Sequence, residues 1–448
     1  MSGFGNFALS FSVISILTGC ISLYGFGLAH GGPREMTLGW PLVCVMTLAV
    51  AASLAELASA YPTAGALYHW ATFLGGRALG WWTAWFNLVG QVAVVAGVDY
   101  GLAELACPLL GLSGTRGQVL SVYGVVLLSH GLLNHVGIRA VTILNELSAW
   151  YHLLGTALLL ALVMWRAPLQ PLSFLLTTYV APEENGVVFA LPYACLVGLL
   201  QAQWTLTGYD ASAHVSEETV RAGEAAPRGI VSAVLVSAVA GWALLLGLTL
   251  AVQDVGDVAS ARNAFETLIV RALGPRLGAG MLWLVVGAMW FCGLSSVTSN
   301  SRMLYAFARD GGAPASRRLA SVSARFGTPA WAVWASVVVA MLLAVWSGVY
   351  NVIVSISTIG LYVAYGIPIG LAWRARRAGV LKRGPWVLGR WSGLAQSVAV
   401  VWVAFVTVLF VLPPNVKTGV TFAGLIVVLL VLWFGWARRN FRGPPPRS

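Results

Sequence analysis

Two apolar spans of this chain are interrupted at their centres and occupy corresponding places in its two halves. The interruptions are centred on Thr18-Gly19-Cys20, within residues 15–33, and on Thr207-Gly208-Tyr209-Asp210, within residues 190–219. An unpaired backbone amide costs several kcal/mol in lipid, so a chain keeps such a break only where it lines a cavity. Glycine-interrupted spans at matching places are typical of a secondary transporter's substrate site. The pattern therefore predicts a mid-membrane binding site between the two breaks.

The composition predicts an all-α integral membrane protein. Hydrophobic residues make up 58% of the 448 and charged residues only 9%, whereas a soluble domain carries roughly 25% charged residues. The apolar runs are about 20 residues long, as spanning helices require, and lack the alternation of a membrane barrel. The five cysteines lie in or beside these runs and indicate no disulfide framework. The net charge of +11 does not indicate nucleic-acid binding, because the basic residues fall on alternate loops.

About twelve spans are predicted, and the distribution of charge orients them. With the N-terminus in the cytoplasm, 19 of the 26 basic residues fall on the cytoplasmic side, which agrees with the positive-inside rule. The chain is thus expected to be a multi-pass protein of the cytoplasmic membrane with both termini cytoplasmic and a first span that is retained. The predicted spans are 7–29, 38–60, 80–106, 118–138, 140–166, 187–216, 228–252, 277–306, 329–347, 351–373, 393–413 and 418–437.

The two breaks fall in spans 1 and 6, which suggests two five-span repeats. Because five is odd, the second repeat would enter the membrane inverted, and the site would lie at the midplane. The predicted units are residues 1–166, with a broken helix near 18–22; residues 167–373, with a broken helix near 206–210; and residues 374–448, with two extra helices and a short tail. Residues 254–275 are long enough to form an external cap.

Several motifs resemble those of the amino acid–polyamine–organocation permeases. The resemblance is carried by AELASAYPTAGALYHW (55–70), GYDASAHVSEET (208–219) and SRMLYAFARDGGAP (301–314). GLYVAYGIPI (360–369) and GPWVLGRWS (384–392) resemble the amino acid/choline transporter branch, which includes GABA and choline permeases. The resemblance implies a LeuT-type fold and proton- or ion-coupled uptake of small amines.

The broken helices predict which residues contact substrate. A helix that stops inside the membrane exposes N–H groups on one side of the break and C=O groups on the other, each end carrying about half a unit of charge. We expect amides near Ile21 and Ser22 to bind a carboxylate, and carbonyls near Trp204–Thr207 to bind an ammonium group. The face of Trp204 also attracts ammonium groups, unless this side chain serves packing. The predicted substrate-binding residues are Thr18, Gly19, Cys20, Ile21, Ser22, Asn87, Gln91, Trp204, Thr207, Gly208 and Tyr209.

Asp210 has two possible roles at the start of the second half of span 6. As an acid of the site it would attract a cation. As an N-cap it would accept hydrogen bonds from the first amides of that half-helix, and aspartate is a favoured cap. In the second case the substrate carboxylate must bind at span 1.

The coupling ion is predicted to be a proton or sodium, and no cofactor or metal is expected. His152 lies near mid-membrane in span 5, at about 1.5 Å per residue from Arg139. It lies seven residues after Asn145, where some proton-coupled members of the resembled superfamily carry a lysine. Histidine titrates near neutral pH, although a neutral histidine between helices is the alternative. The rival site is a set of span-8 hydroxyls that could hold sodium: Ser295, Ser296, Thr298 and Ser299. The alternative is that these hydroxyls bond to their own helix backbone.

Charged residues at the cytoplasmic ends of several spans form either a gate or a permanent network. The predicted gate or structural residues are Glu56, Asp210, Glu217, Glu218, Arg302 and Asp310. Glu146 is expected to join them. Asp99 and Glu104, near the outer end of span 3, are expected to face water.

The function that these features favour is secondary active transport of amino acids or related small amines such as GABA, by alternating access and with proton coupling. The alternatives are a choline, quaternary-amine or polyamine permease, a sodium-coupled or exchange mode, and a transporter-like substrate sensor. An enzyme is not expected, because Asp210 and His214 lack a third catalytic partner in the sequence. The expected partners are a small-molecule substrate and the lipid bilayer, without nucleic acid.

Overall fold

The computed structural model describes residues 1–182, 188–347 and 350–445, with the side chains of residue 138 and residues 346–352 excepted. The described residues are helical or irregular, and the pairing of His30 with Val180 is an isolated bridge rather than a strand. Ten described helices are long and apolar enough to cross a membrane, and Ala330–Val345 is a shorter apolar helix. Each predicted span coincides with one of these helices or, for spans 1 and 6, with a series of short helices. Residues 446–448 of the predicted tail lie outside the described part.

Spans 1 to 5 occupy the first 166 residues. Their helices are α1 (Gly3–Ile14), α2 (Ile16–Ser22), α3 (Tyr24–Ala29), a π-helical turn (Glu35–Gly39), α4 (Trp40–Ala60), α5 (Ala66–Gly75), α6 (Arg77–Leu109), α7 (Arg116–Val136) and α8 (Ile138–Arg166).

Spans 6 to 10 follow after a 3₁₀ turn at Leu172–Leu176. Their helices are α9 (Leu191–Gly198), α10 (Leu200–Thr205), α11 (Ala211–His214), a 3₁₀ turn (Ser216–Glu218), α12 (Ala222–Leu250), α13 (Val255–Ser260), α14 (Ala264–Leu273), α15 (Pro275–Arg309), α16 (Ser316–Leu319), α17 (Ala330–Ser347) and α18 (Tyr350–Arg377). The C-terminal elements are a 3₁₀ turn (Gly389–Trp391), α19 (Ser392–Leu409), α20 (Val416–Leu432), a π-helical turn (Trp433–Ala437) and α21 (Arg438–Asn440).

Span 1 is interrupted twice, at Ser15 between α1 and α2 and at Leu23 between α2 and α3, so the breaks flank the residues 18–22 named from the sequence instead of lying within them. Ser15 adopts a left-handed conformation with φ 42° and separates α1 from α2, whereas residues 16–22 are helical. Its carbonyl accepts from the amides of Thr18 and Gly19, at 2.8 and 2.9 Å. Gly19 does not break the helix, because here its missing Cβ permits a close helix contact rather than an unusual backbone angle.

The interruption of span 6 lies between Thr205 and Ala211, over the residues 206–210 named from the sequence. α10 ends at Thr205, and α11 begins at Ala211. Gly208 adopts φ 81° in this segment, a conformation that glycine reaches at little cost. Its amide donates to the hydroxyl of Tyr365, at 3.1 Å, so the unwound backbone is partly paired by α18.

Polar side chains are buried among the apolar core of this helical assembly, and many apolar side chains lie on its surface. Asn87, His152 and Asp210 are buried, whereas Val401 and Val420 are largely exposed. A surface of this kind is stable when lipid covers it. Polar chemistry is thereby concentrated around the two interruptions.

The ends of the helices form two opposite faces. On one, the terminal face, the amino terminus donates to the carbonyl of Glu218, at 2.6 Å, and Arg77 donates to the carbonyl of Phe441. On the other, the vestibule face, α13 and α14 pack against α3. These two short helices occupy residues 255–273, within the predicted external cap.

Candidate functional site

The interruptions of spans 1 and 6 are in direct contact, and we call this contact region the junction. A Cβ added at Gly208 would overlap the side chain of Val13, two residues before the break at Ser15. A Cβ added at Gly19 would lie 2.7 Å from the Cα of Thr205. Gly19 is therefore required by the close approach of the Thr205 backbone, and Gly208 by the Val13 side chain packed against it.

A serine from span 1, rather than Asp210, caps the second half of span 6. The side chain of Asp210 makes no cap hydrogen bond, so the N-cap interpretation of this residue is wrong. Instead, Ser10 Oγ accepts from the amide of Ser212, at 2.8 Å, and lies 2.7 Å from the carbonyl of Tyr209. Because α1 supplies this cap, the carboxylate of Asp210 is left for other partners.

Asp210 is buried in a polar cluster formed by α6, α11 and α18. Its Oδ1 accepts from the hydroxyl of Tyr365, at 2.7 Å. Its Oδ2 accepts from the Asn87 amide and lies 3.1 Å from His214 Nε2. Gln91 donates to the side-chain oxygen of Asn87, at 2.7 Å, and extends the cluster along α6.

His214 of α11 lies between a donor and an acceptor of this polar cluster. Its Nδ1 lies 3.1 Å from the carbonyl of Ala64, which only accepts, so Nδ1 carries a hydrogen. Its Nε2 lies 3.1 Å from Asp210 Oδ2 and 3.1 Å from the side-chain nitrogen of Gln91. In a neutral ring Nε2 accepts from Gln91, whereas a proton at Nε2 would be donated to Asp210.

His152, predicted as a coupling residue, contacts the break in span 1. Its Nδ1 lies 2.8 Å from the carbonyl of Ser148 and so donates, which leaves Nε2 of the neutral ring to accept from Ser15 Oγ, at 2.6 Å. Thr18 then donates to Ser15 Oγ, at 2.5 Å. Protonation of Nε2 would reverse the hydrogen bond with Ser15, because Ser15 Oγ would have to accept from the ring.

The junction is closed around two small cavities. One is lined by Thr18, Gly19, Trp204 and Thr207 among others, and the second by Gln91, Gly208 and Asp210 among others. Each has a volume of about 10 Å³, which is the space that one water molecule needs. Gln91 Oε1 and the Tyr209 hydroxyl are buried and have no hydrogen-bond partner within the described residues.

Five of the predicted substrate-binding residues do not line the junction cavities. Asn87 and Tyr209 are neighbours of lining residues, whereas the side chains of Cys20, Ile21 and Ser22 lie further away. Cys20 Sγ faces Gly241 of α12, 3.3 Å from where a Cβ of that glycine would be. Ile21 and Ser22 line a cavity of about 420 Å³ on the vestibule face. The predicted amides near Ile21 and Ser22 are not the first of their half-helix, because α2 begins at Ile16.

The four hydroxyls of span 8 do not converge on one point. Ser295 donates to Asn145 and Thr298 to Asn134, at 2.7 and 2.8 Å. Ser296 and Ser299 instead line the cavity that contains Asp210. Three of the four are also within hydrogen-bonding distance of a carbonyl one turn earlier in α15, so they are paired with their own backbone.

Ion pairs join the end of span 6 to α15 on the terminal face. Arg309 donates twice to Glu217, at 2.9 and 3.1 Å, and Arg302 lies 3.4 Å from Glu218. Asp310 accepts from the hydroxyl of Tyr68, at 2.7 Å. Four of the predicted gate residues are therefore brought together here.

Glu56 and Glu146 do not belong to that cluster, which corrects the prediction for both. Glu56 accepts from Arg376, at 2.8 Å, and from Ser392, at 2.6 Å, and so fixes the segment between α18 and α19. Glu146 accepts from Ser2 near the amino terminus. Their positions along the chain placed them at the right face but could not show which neighbour each one meets.

Asp99 does not face water, which is a further correction, whereas Glu104 lines the vestibule. The carboxylate of Asp99 is fully buried and lies 3.1 Å from His130 Nδ1. α7 and α15 both pack against α6 and cover this position. A buried partner on another helix leaves no mark in the local sequence.

Four junction residues were not identified from the sequence: Ser10, Val13, Ser15 and Tyr365. The spacing of four between Asp210 and His214 was visible in the sequence, and neighbours at this spacing share a helix face. Ser10, Ser15 and Tyr365 act through contacts with distant parts of the chain, for which the local pattern has no signal.

Comparisons with known proteins agree with this architecture. The sequence profile of the amino acid permease family matches residues 2–435. The chain belongs to the amino acid permease family. This permease is 39% identical to the amino-acid permease BAT1 of Arabidopsis thaliana, over 99% of its own length and 93% of the relative. It is 26% identical to the GABA-specific permease of Saccharomyces cerevisiae, over 93% of its own length and 76% of the relative.

Membership of this family defines the general activity. The permease is a multi-pass membrane transporter of small molecules and not an enzyme.

Proposed function

We propose that this permease moves amino acids or related small amines such as GABA across the cytoplasmic membrane by alternating access, driven by protons. The observation that carries the proposal is the contact between the two interrupted spans, at Val13–Gly208 and Gly19–Thr205. Paired interruptions at a repeat interface suit a substrate site, because broken backbone is tolerated only where it lines a cavity. The relative named a GABA-specific permease supports the substrate class.

The terminal face is assigned to the cytoplasm. Most of the basic residues fall on this side, and the positive-inside rule then orients the chain. The conformation is closed on the cytoplasmic side by the ion pairs of Glu217 and Glu218, and open on the outside as far as Ile21 and Ser22. Transport requires those ion pairs to separate while the vestibule closes.

Substrate is assigned to the space between the two junction cavities. Neither cavity holds more than about one water, so α2 and α10 must move apart to admit an amino acid. Gln91 Oε1, buried and without a described partner, is an acceptor for an ammonium group beside Asp210. The side chain of Trp204 lies in the neighbouring cavity and offers an aromatic face to the same group.

The coupling proton is assigned to acid–base groups at the junction. His214 Nε2 lies between Asp210 and Gln91, where it can take a proton and donate it to the carboxylate. When His152 is protonated, its Nε2 donates to Ser15 instead of accepting from it. Both groups lie where a proton would change the shape and charge of the site. The hydroxyls of span 8 are less suited to hold sodium, because they point to different neighbours.

The proposal is tested by flux in proteoliposomes that contain the purified permease. We expect radiolabelled GABA or another amino acid to accumulate when the outside is acidic, with and without sodium. Collapse of the pH gradient by a protonophore should abolish accumulation. Accumulation that requires sodium and ignores the pH gradient would contradict proton coupling. Transport of choline alone would contradict the substrate class.

A matched pair of histidine variants tests the role of the junction. His152→Gln should lose accumulation driven by the pH gradient, whereas His135→Gln should retain it. His135 lies on α7 and accepts from the ring nitrogen of Trp334, outside the junction. Unchanged accumulation in His152→Gln would eliminate His152 as the coupling group.

A further inference from the structure

A second acid–histidine pair lies outside the junction. Asp99 of α6 and His130 of α7 are fully buried, with Oδ2 and Nδ1 3.1 Å apart. Asp99 Oδ1, His130 Nε2 and the hydroxyl of Tyr123 are buried and have no hydrogen-bond partner within the described residues. Three polar atoms with unused capacity around one ion pair are costly in an apolar interior, so a role is expected for them.

The pair can change its net charge by one unit. With one hydrogen on the ring and an ionised carboxylate, the pair is negative; when His130 Nε2 takes a proton from water, it becomes neutral. A buried net charge is unfavourable, whereas a neutral ion pair is better tolerated. On α6, α7 and α15, the ionisable side chains nearest in sequence to Asp99, His130 and Gly293 are Tyr100, Glu104, Tyr123 and Cys292. The sequence of α17, which also packs on α6 and α7, contains none.

The pair is packed against α15 at a position without a side chain. A Cβ at Gly293 would overlap Asp99 Oδ1 and would lie 2.6 Å from His130 Cε1. The preceding residue, Cys292, donates to the carbonyl of Val13, at 3.2 Å. Adjacent residues of α15 therefore contact the Asp99–His130 pair on one side and the break in span 1 on the other.

The pair is also linked to the ion pairs of the terminal face. Asn134, one turn after His130 on α7, donates to the His130 carbonyl at 3.1 Å. Its side-chain oxygen accepts from Arg302, at 3.2 Å, and Arg302 lies 3.4 Å from Glu218. A shift of α7 at His130 therefore reaches the arginine that closes the proposed cytoplasmic side.

We propose that Asp99 and His130 form a proton-binding pair, separate from His152 and Asp210, whose protonation changes the packing of α6 and α7 on α15 and so biases the opening of the terminal face. Proton binding by the pair does not depend on the proposed function. The effect of the pair on transport does rest on the proposed function, so proton binding and transport are measured separately.

Proton binding is tested by the fluorescence of Trp290, whose ring centroid lies 5.3 Å from that of His130. A protonated imidazole quenches a nearby excited indole more strongly than a neutral one. The emission of the purified permease should therefore fall on acidification within the range of roughly pH 5 to 8 in which histidines titrate. His135 contacts Trp334 and adds a change of its own, so the comparison is made in the His135→Gln background: the remaining change should be present there and absent when His130→Gln or Trp290→Phe is added. Identical emission profiles for the wild type and His130→Gln would overturn proton binding, and this readout needs no transport.

The effect on transport is tested by the pH profile of uptake. Asp99→Asn and His130→Gln should each move the midpoint of that profile by about one pH unit or more, or abolish the pH dependence, while His135→Gln follows the wild type. If uptake by the wild type depends on pH and the profiles of Asp99→Asn and His130→Gln both superimpose on it, the proposed effect of the pair on opening of the terminal face is overturned. A wild-type profile without pH dependence would overturn that bias and the proposed proton coupling together, while the Trp290 titration would still decide proton binding.

Discussion

The two interruptions of this permease are built differently. Span 1 breaks at single residues: at Ser15, which lies at the junction and is followed directly by α2, and at Leu23, which is followed directly by α3. Span 6 is unwound over five residues, 206–210, and its second half is a helix of only four residues. The break at Ser15 is a kink held by hydroxyl and imidazole groups, whereas the break in span 6 exposes backbone and presents a carboxylate.

This difference suggests a division of work between the spans. The kink at Ser15 can respond to the protonation of His152, because the ring is bonded directly to it. The unwound segment brings Asp210 beside Gln91, where a ligand can replace protein contacts. Substitutions at the two breaks should therefore have different signatures.

The largest effect is expected from Gly208→Ala. The alanine would have to adopt φ 81° and would overlap Val13, and the left-handed conformation alone costs about 1–2 kcal/mol. Uptake should fall at least about tenfold, since 1.4 kcal/mol is a factor of ten. The control is Gly280→Ala on α15, which has open space around it. Normal uptake by Gly208→Ala in proteoliposomes would show that the two breaks need not touch.

A smaller effect is expected from Ser15→Ala at the other break. Loss of the hydroxyl leaves His152 Nε2 buried without its partner, which costs about 1–3 kcal/mol, and thermal unfolding in detergent should register this. The control is Ser12→Ala. Ser12 donates to Ser148, a neighbour of His152, at 2.7 Å, and makes no hydrogen bond to His152 Nε2. Equal pH profiles of uptake for the two variants would remove Ser15 from the response to protons.

His152→Gln should affect coupling more than binding. Glutamine can still bond to Ser15 but cannot exchange a proton, so substrate affinity should change by less than about tenfold while accumulation driven by the pH gradient disappears. Affinity is measured by calorimetry and accumulation by flux. Loss of affinity with coupling retained would reverse the roles assigned to the two breaks.

The smallest effect on stability is expected from Glu217→Gln on the terminal face. Arg309 bonds to this carboxylate and lowers its pKa, so the stabilisation is present above the unfolded-state pKa and lost as the pH falls through the lower folded-state value. Both side chains are partly exposed, and such pairs contribute about 0.2–1 kcal/mol. Thermal unfolding at neutral and acidic pH should show a small difference that disappears in acid. A large difference that persists in acid would mean that Glu217 acts through something other than its charge.

Much of the architecture could be predicted from the sequence, because lipid imposes strong rules. A spanning helix needs about 20 apolar residues, so the ten long apolar helices of the described residues could be recognised. The break in span 6 was located because Gly208 and Asp210 lie in an otherwise apolar run. The break in span 1 was misplaced because glycine serves both turns and close helix contacts, and Gly19 serves a contact. Ser15 takes its conformation beside a histidine 137 positions away.

The candidate site was predicted as a set of residues rather than as a network. Thr18, Gly19, Trp204, Thr207 and Gly208 do line the junction cavities, because they lie next to the breaks. The partners of the charged groups were not predictable, as Glu56, Asp99 and Asp210 show. Each is satisfied by a side chain from a distant helix, and local patterns carry no record of such pairs.

The most direct measurement is an experimental structure of the permease in lipid with a saturating amino acid. The central claim predicts ligand density between α2 and α10, in contact with Gln91 or Trp204, and a wider gap between Gly19 and Thr205. Density confined to the vestibule beside Glu104, with Gly19 and Thr205 still in contact, would contradict it.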